Sequence, residues 1–350
     1  MMPRLTILLG AGGVGKTTLA SGLALAFARA GERAALLGVD PARRLRSALG
    51  VDVADRGIAF AVPGASVSLQ AVVLEPTVAV RRWIAEACPD DAARRRALSH
   101  PYLVAVADRL AGFADAIGCA RAVEIAERDP DLAELVLDTA PGNAAIELLA
   151  KPEKLLAFFD GQLVRWLVRL GRFGRGGRTI TALAQLSGAD ALRDFGAFVD
   201  AIEAAIATLV ARLERARAWL ADATTSLVIV CGGRDDAVAT AVALDRAIRE
   251  LGLAPRLVVV NRALPASLER WSADDADPRA VAFTRYVRNE LAIEARVRAR
   301  LAHEVGRVIA VPDTNELDGA SRLGALARLG EVLRCNLHVE HARAPHRSIA

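Results

Sequence analysis

Residues Gly10-Ala11-Gly12-Gly13-Val14-Gly15-Lys16-Thr17-Thr18 constrain this chain more than any other stretch. They satisfy G-x-x-x-x-G-K-[ST] and lie between an apolar run, Leu5 to Leu9, and an amphipathic stretch, Thr18 to Ala30. That context predicts a strand, a loop and a helix. The glycines let consecutive backbone N–H groups turn inward as an anion nest, and the following helix adds its positive N-terminal end. Gly12, Gly13, Val14, Gly15, Lys16, Thr17 and Thr18 are therefore the candidate phosphate contacts, with Lys16 reaching β and γ phosphates and Thr17 holding Mg²⁺. A mere tight turn would not need the ammonium. The chain uses Arg 42 times and Lys three times, yet Lys fills this position, where a planar guanidinium fits poorly.

The 350 residues, 53% of them hydrophobic, are enough for one large α/β domain with helical insertions. Cys88, Cys119, Cys231 and Cys335 are scattered, and no C-x-x-C pair occurs. That usage predicts reduced, mostly buried thiols and a cytoplasmic protein. No signal-like segment opens the chain and no apolar run approaches the ~18 residues needed to span a bilayer. The net charge of +4 is mild and the arginines are dispersed, so basicity does not point to nucleic acid.

Apolar runs at Arg33–Val39, Ser66–Leu74, Leu135–Asp138, Leu227–Val230, Leu257–Val260 and Val308–Val311 read as further strands. With helical stretches between them, they predict a doubly wound, mostly parallel sheet. The expected organisation is one domain over residues 1–334, with helical insertions at about 77–130 and 143–220 as a cap subdomain, and a C-terminal tail at 335–350. Asp40 follows the second strand, where a carboxylate in the ligand crevice would face the γ-phosphate and its attacking water; Asp40-Pro41 is equally a helix start signal. Asp138 closes a buried strand, and after a phosphate loop such a carboxylate serves the Mg²⁺ shell.

Residues 143–220 interleave aromatics with Arg165, Arg169, Arg172, Arg175 and Arg178, which suits a membrane surface, an anionic partner or a hydrophobic client. An ordinary helical layer with its polar face outward explains the pattern as well. Gly174 to Gly177 reads as a mobile lid or subunit loop. Cys335, His338 and His341 are spaced by three, as metal ligands on one helix face would be, but they lie in a His-, Arg- and Pro-rich terminal stretch typical of a tail. Where a guanine site carries N-K-x-D, this chain has Asn261-Arg262-Ala263-Leu264, so ATP is expected over GTP. Asn261 and the Pro312-Asp313 turn are the candidates for holding the adenine.

Taken together, Gly10 to Thr18, Asp40-Pro41-Ala42, Asp138-Thr139-Ala140-Pro141 and Asn261 resemble the arsenical pump-driving (ArsA) and tail-anchored-protein-targeting ATPase family, over about Leu5 to Leu333. The resemblance implies a SIMIBI-type phosphate-loop NTPase, dimeric, clamping nucleotide at the subunit interface. It implies that Asp40 orients or activates water, Lys16 binds phosphates, Thr17 and Asp138 serve Mg²⁺, and Asn261 contacts adenine.

Three departures qualify it. The family's loop begins Gly-Lys-Gly-Gly, its first lysine reaching into the partner's site, and Ala11 stands there. The zinc-binding C-x-x-C pair of the targeting members has no counterpart, and the only methionines are Met1 and Met2, so a Met-rich client groove is missing. The variant looks most like one member of the paired ArsA-related ATPases of bacteria, whose expected mate is a lysine-bearing paralogue. The alternatives are a homodimer, a regulatory subunit with little turnover of its own, or a partition-type ATPase on DNA or a membrane surface.

Overall fold

The computed structural model describes residues 2–39, 43–99, 114–140, 200–270, 278–313 and 322–341. Asp40, Pro41 and Ala42, and the Arg165–Arg178 stretch with Gly174–Gly177, lie outside the described residues. The chain divides into two compact units: Met1–Val73, Asp129–Leu149 and Ala221–Ala350 form one, and Leu74–Arg128 with Ala150–Leu220 the other.

The first unit is built on an eight-stranded sheet: β1 (Arg4–Gly10), β2 (Ala34–Gly38), β3 (Ile58–Ala61), β4 (Ser68–Val73), β5 (Glu134–Asp138), β6 (Thr225–Cys231), β7 (Pro255–Ala263) and β8 (Val308–Pro312). Its order is β3-β4-β2-β5-β1-β6-β7-β8. Every pairing is parallel except β3 with β4 at one edge. The α/β, mostly parallel architecture expected from the apolar runs is the one observed, with β3 as an addition. Parallel strands covered on both faces read as continuous hydrophobic runs. Accordingly Leu8, Leu36, Val136 and Val228 pack into one buried cluster, while the alternate residues Ile7, Leu37 and Leu135 are equally buried.

β1 sits between β5 and β6, with Leu8 level with Asp138 and Gly10 level with Val230. The chain passes from β1 to one side of it through β2 and to the other through β6. That reversal places the C-terminal end of β1 at a topological switch point, where open α/β sheets bind ligands. Helix α1 (Lys16–Arg29) starts there and packs on β1, β2 and β5. A short α2 (Arg43–Leu49) follows β2.

In the second unit, α3 (Pro76–Ala87) opens with Pro76, whose fixed φ and missing N–H suit a first helical turn. It is followed by α4 (Asp91–Ser99), α5 (Ala114–Arg128) and α6 (200–220). The unit encloses a polar knot. The Glu124 side chain is fully buried and receives bonds from Trp83 Nε1 at 2.8 Å and Arg82 at 3.0 Å. Arg121 and Arg128 pair with it at 2.9 and 2.8 Å. Burial raises the carboxyl's pKa, but Arg121, the Trp83 bond, Arg82 and Arg128 outweigh it and hold the group below the usual carboxylate range.

Back in the first unit, α7 (Asp235–Glu250) lies on β6, and α8 (Pro278–Glu304) lies on β7 and β8. Helix α9 (Arg322–His341) packs along α1. It runs through Cys335, whose thiol donates to Glu331 Oε1 at 3.2 Å. The side chains of His338 and His341 lie outside the described residues, and among the described residues no group of three or more His, Cys, Asp or Glu is placed to hold a metal. Of the four thiols, Cys119 and Cys231 are buried, Cys88 half-buried and Cys335 exposed, so burial is less general than the composition suggests.

Candidate functional site

Gly15 caps α1 in a left-handed conformation, φ +93°, which glycine adopts without strain. The helix start carries no side-chain cap and no acidic residue in its first turn. Its N–H groups and the positive end of its dipole are thus arranged to receive an anion. Gly12 and Gly13 are exposed at the tip of the loop, and nothing lies within 4 Å of the place a Cβ on Gly13 would take. The face of the loop at Gly13 is thus open.

Lys16 is buried, and its Nζ donates to Gly10 O at 3.0 Å and Ala11 O at 2.9 Å. The ammonium is held inside the loop by the loop's own carbonyls. Thr17 and Thr18 follow on the first turn, both half-buried.

Asp138, 2% exposed, ends β5 beside β1. The next residue, Thr139, fixes that strand end by donating its hydroxyl to Leu8 O at 2.7 Å. β2 joins the same end, with Gly38 level with Asp138 and Val39 N donating to Asp138 O at 2.9 Å. The end of β2 thus lies next to Asp138. A Thr hydroxyl and a carboxylate are hard oxygen donors, so Thr17 and Asp138 fit Mg²⁺ by chemistry.

The opposite wall comes from β7 and β8. Asn261, 6% exposed, is level with Val311, and Ala263 is level with Pro312, so Asn261, Pro312 and Asp313 gather at neighbouring strand ends. Asn261 also does something the sequence does not announce: its Nδ2 donates to Val14 O at 2.8 Å. Val14 O can only accept, so the amide nitrogen must face the loop and Oδ1 must face elsewhere. Cys231, at the end of β6, is buried, and burial pushes its thiol up to about 12.

Comparison with known proteins agrees with the fold. A family model described as Anion-transporting ATPase matches residues 3–275. The chain is also similar to a protein named ATPase GET3 from Malassezia globosa, 29% identical over 154 residues, covering 43% of this chain and 44% of that protein. The match thus spans less than half of that relative's length. No helix among the described residues is long and apolar enough to cross a membrane.

Proposed function

Because the chain belongs to the anion-transporting ATPase family, and is an ATP hydrolase by that membership, we propose that it binds Mg-ATP on Gly12 to Thr18 and couples the nucleotide cycle to closure and opening of a dimer that handles a cargo. The observation carrying this reading is the uncapped start of α1 with Lys16 folded into the loop. Exchanging the carbonyls of Gly10 and Ala11 for phosphate oxygens would give Lys16 charged acceptors in place of neutral ones, and charge-assisted bonds are roughly twice as strong. Thr17 and Asp138 would hold Mg²⁺, which when bound neutralises charge on the β and γ phosphates. Asp40 would orient the attacking water. Asn261, with Pro312 and Asp313, would border the adenine, where an acceptor such as Oδ1 suits the exocyclic amino group. A hydrophobic protein client or an anion is the cargo class that fits.

Ala11 favours a second, more specific reading of the assembly. Phosphoryl transfer leaves a protein mainly the task of stabilising charge on the transferring group, and a cation delivered from a partner is worth about 10³ to 10⁵ in rate. Ala11 delivers none. A homodimer of this chain would lack that cation at both sites, whereas a lysine-bearing paralogue would supply it to the site held here.

Calorimetric titration of Mg-ATP into the wild type and Lys16→Ala tests the site: binding is expected for the first and lost for the second, and equal affinities would refute it. Turnover of the pure chain, of Ala11→Lys and of the mixed complex tests the assembly. Slow turnover that rises with either lysine is expected, and fast turnover indifferent to both would reject the paired arrangement.

A further inference from the structure

Three features meet at the end of β7. The pairing of β7 with β8 slips between Asn261 and Ala263, leaving Arg262 as the extra residue of a bulge. Arg262 has φ +57°, and it is the only non-glycine with positive φ among the described residues. Such a conformation is strained for a residue with a Cβ and persists where the surroundings demand it. Beside it, the Asn261 amide reaches Val14 O. On the facing loop, a Cβ at Gly15 would stand 2.2 Å from that same Nδ2, so any other residue there, besides being strained at this left-handed φ, would push the Asn261 amide out of its present place.

The geometry points to Asn261 as a positioning residue of the phosphate loop, acting through the Val14 carbonyl. A trans peptide is planar, with its C=O and N–H on opposite sides. Holding Val14 O toward Asn261 therefore holds the N–H of Gly15 the other way, toward the hollow of the loop. That N–H belongs to the nest that phosphate oxygens use. The bulge at Arg262 is what turns the strand end so that Asn261 reaches a carbonyl 247 residues earlier in the chain. Asn261 thus acts on the phosphates whichever base is attached.

This inference rests on the loop being the phosphate cradle, and the test separates the two. Mg-ATP and baseless Mg-tripolyphosphate are titrated into the full chain, wild type, Asn261→Ala and Lys16→Ala, with Asn261→Ser added. The serine hydroxyl is too short to span to Val14 O, and the variant stays polar at the strand end, so it decides the question if the alanine variant unfolds. Loss of one part-buried bond predicts that both Asn261 variants weaken tripolyphosphate by about tenfold, and ATP by at least as much because its adenine contact goes too. A loss confined to ATP, with tripolyphosphate bound as by wild type, would reduce Asn261 to a base contact and overturn the inference. Undiminished tripolyphosphate binding by Lys16→Ala would instead overturn the cradle itself.

Discussion

Gly330 of α9 meets Gly22 of α1 backbone to backbone: a Cβ built on Gly330 would stand 1.8 Å from the Gly22 carbonyl oxygen. In the other direction, a Cβ on Gly22 would stand 2.4 Å from Leu326 O. Around this contact Leu19, Leu23, Leu326, Leu329 and Leu333 are buried. The crossing that brings the leucines together therefore depends on two missing side chains.

Gly330→Ala reads that dependence with a clear sign. In an isolated helix the change would stabilise by about 1 kcal/mol. Here it overpacks a closed contact, and a net loss of about 1–3 kcal/mol is expected. Urea denaturation decides: a lower midpoint at unchanged slope agrees, while an equal or higher midpoint means the two helices separate freely.

Two buried carboxylates should respond to pH in opposite senses. Burial pushes the Glu134 carboxyl up to about 8; Arg4 pulls it back and the nearby Glu32 adds to the rise. The stabilisation from protonated Glu134 is full below its unfolded value, about 4.5, and is lost as pH rises through about 8. Glu124, held low by its arginines, stabilises above the ordinary carboxylate range and ceases to do so as pH falls through its depressed value. Thermal midpoints from about pH 5 to pH 9 should fall for the wild type and flatten for Glu134→Gln. An unchanged slope in that variant would mean Glu134 stays ionised throughout, paired with Arg4.

Asp40→Asn should keep ATP binding and lose hydrolysis, because it removes a charge near the water and leaves the size unchanged. The warrant is the place of Asp40 in the sequence, two residues after Gly38 ends β2 level with Asp138. Single-turnover hydrolysis with the variant prebound to ATP is the measurement. Wild-type rates would show that Asp40 merely starts α2.

The seven parallel strands are legible in the sequence because strands buried on both faces are written as unbroken apolar runs, Leu227 to Val230 and Leu257 to Val260 among them. β3 is not. Ile58–Ala61 is four residues long with Ala59 and Ala61 exposed, and an edge pairing leaves that little signal. Helix α9 escapes for another reason: the face it buries is defined by Gly330 and its contact with Gly22, and a glycine pattern reads as loop until the facing helix is known. At the site, the phosphate loop is local and therefore readable. The Asn261 to Val14 bond is not, since it needs a bulge at Arg262, a residue that carries no turn signal.

The union of α1 with α9 also sets an order of events during synthesis. About 300 residues separate Gly22 from Gly330, and at about 5–20 residues per second they take tens of seconds to translate. Until then the helix behind the phosphate loop, with Leu19, Leu23 and Phe27 among its apolar residues, lacks the helix that packs along it. β1 waits too, since its neighbours β5 and β6 are encoded far downstream. The segment of the phosphate loop thus leaves the ribosome well before its partners and is among the last to be completed, and the nascent chain carries an apolar helix for chaperones to shield before the loop can take its ligand.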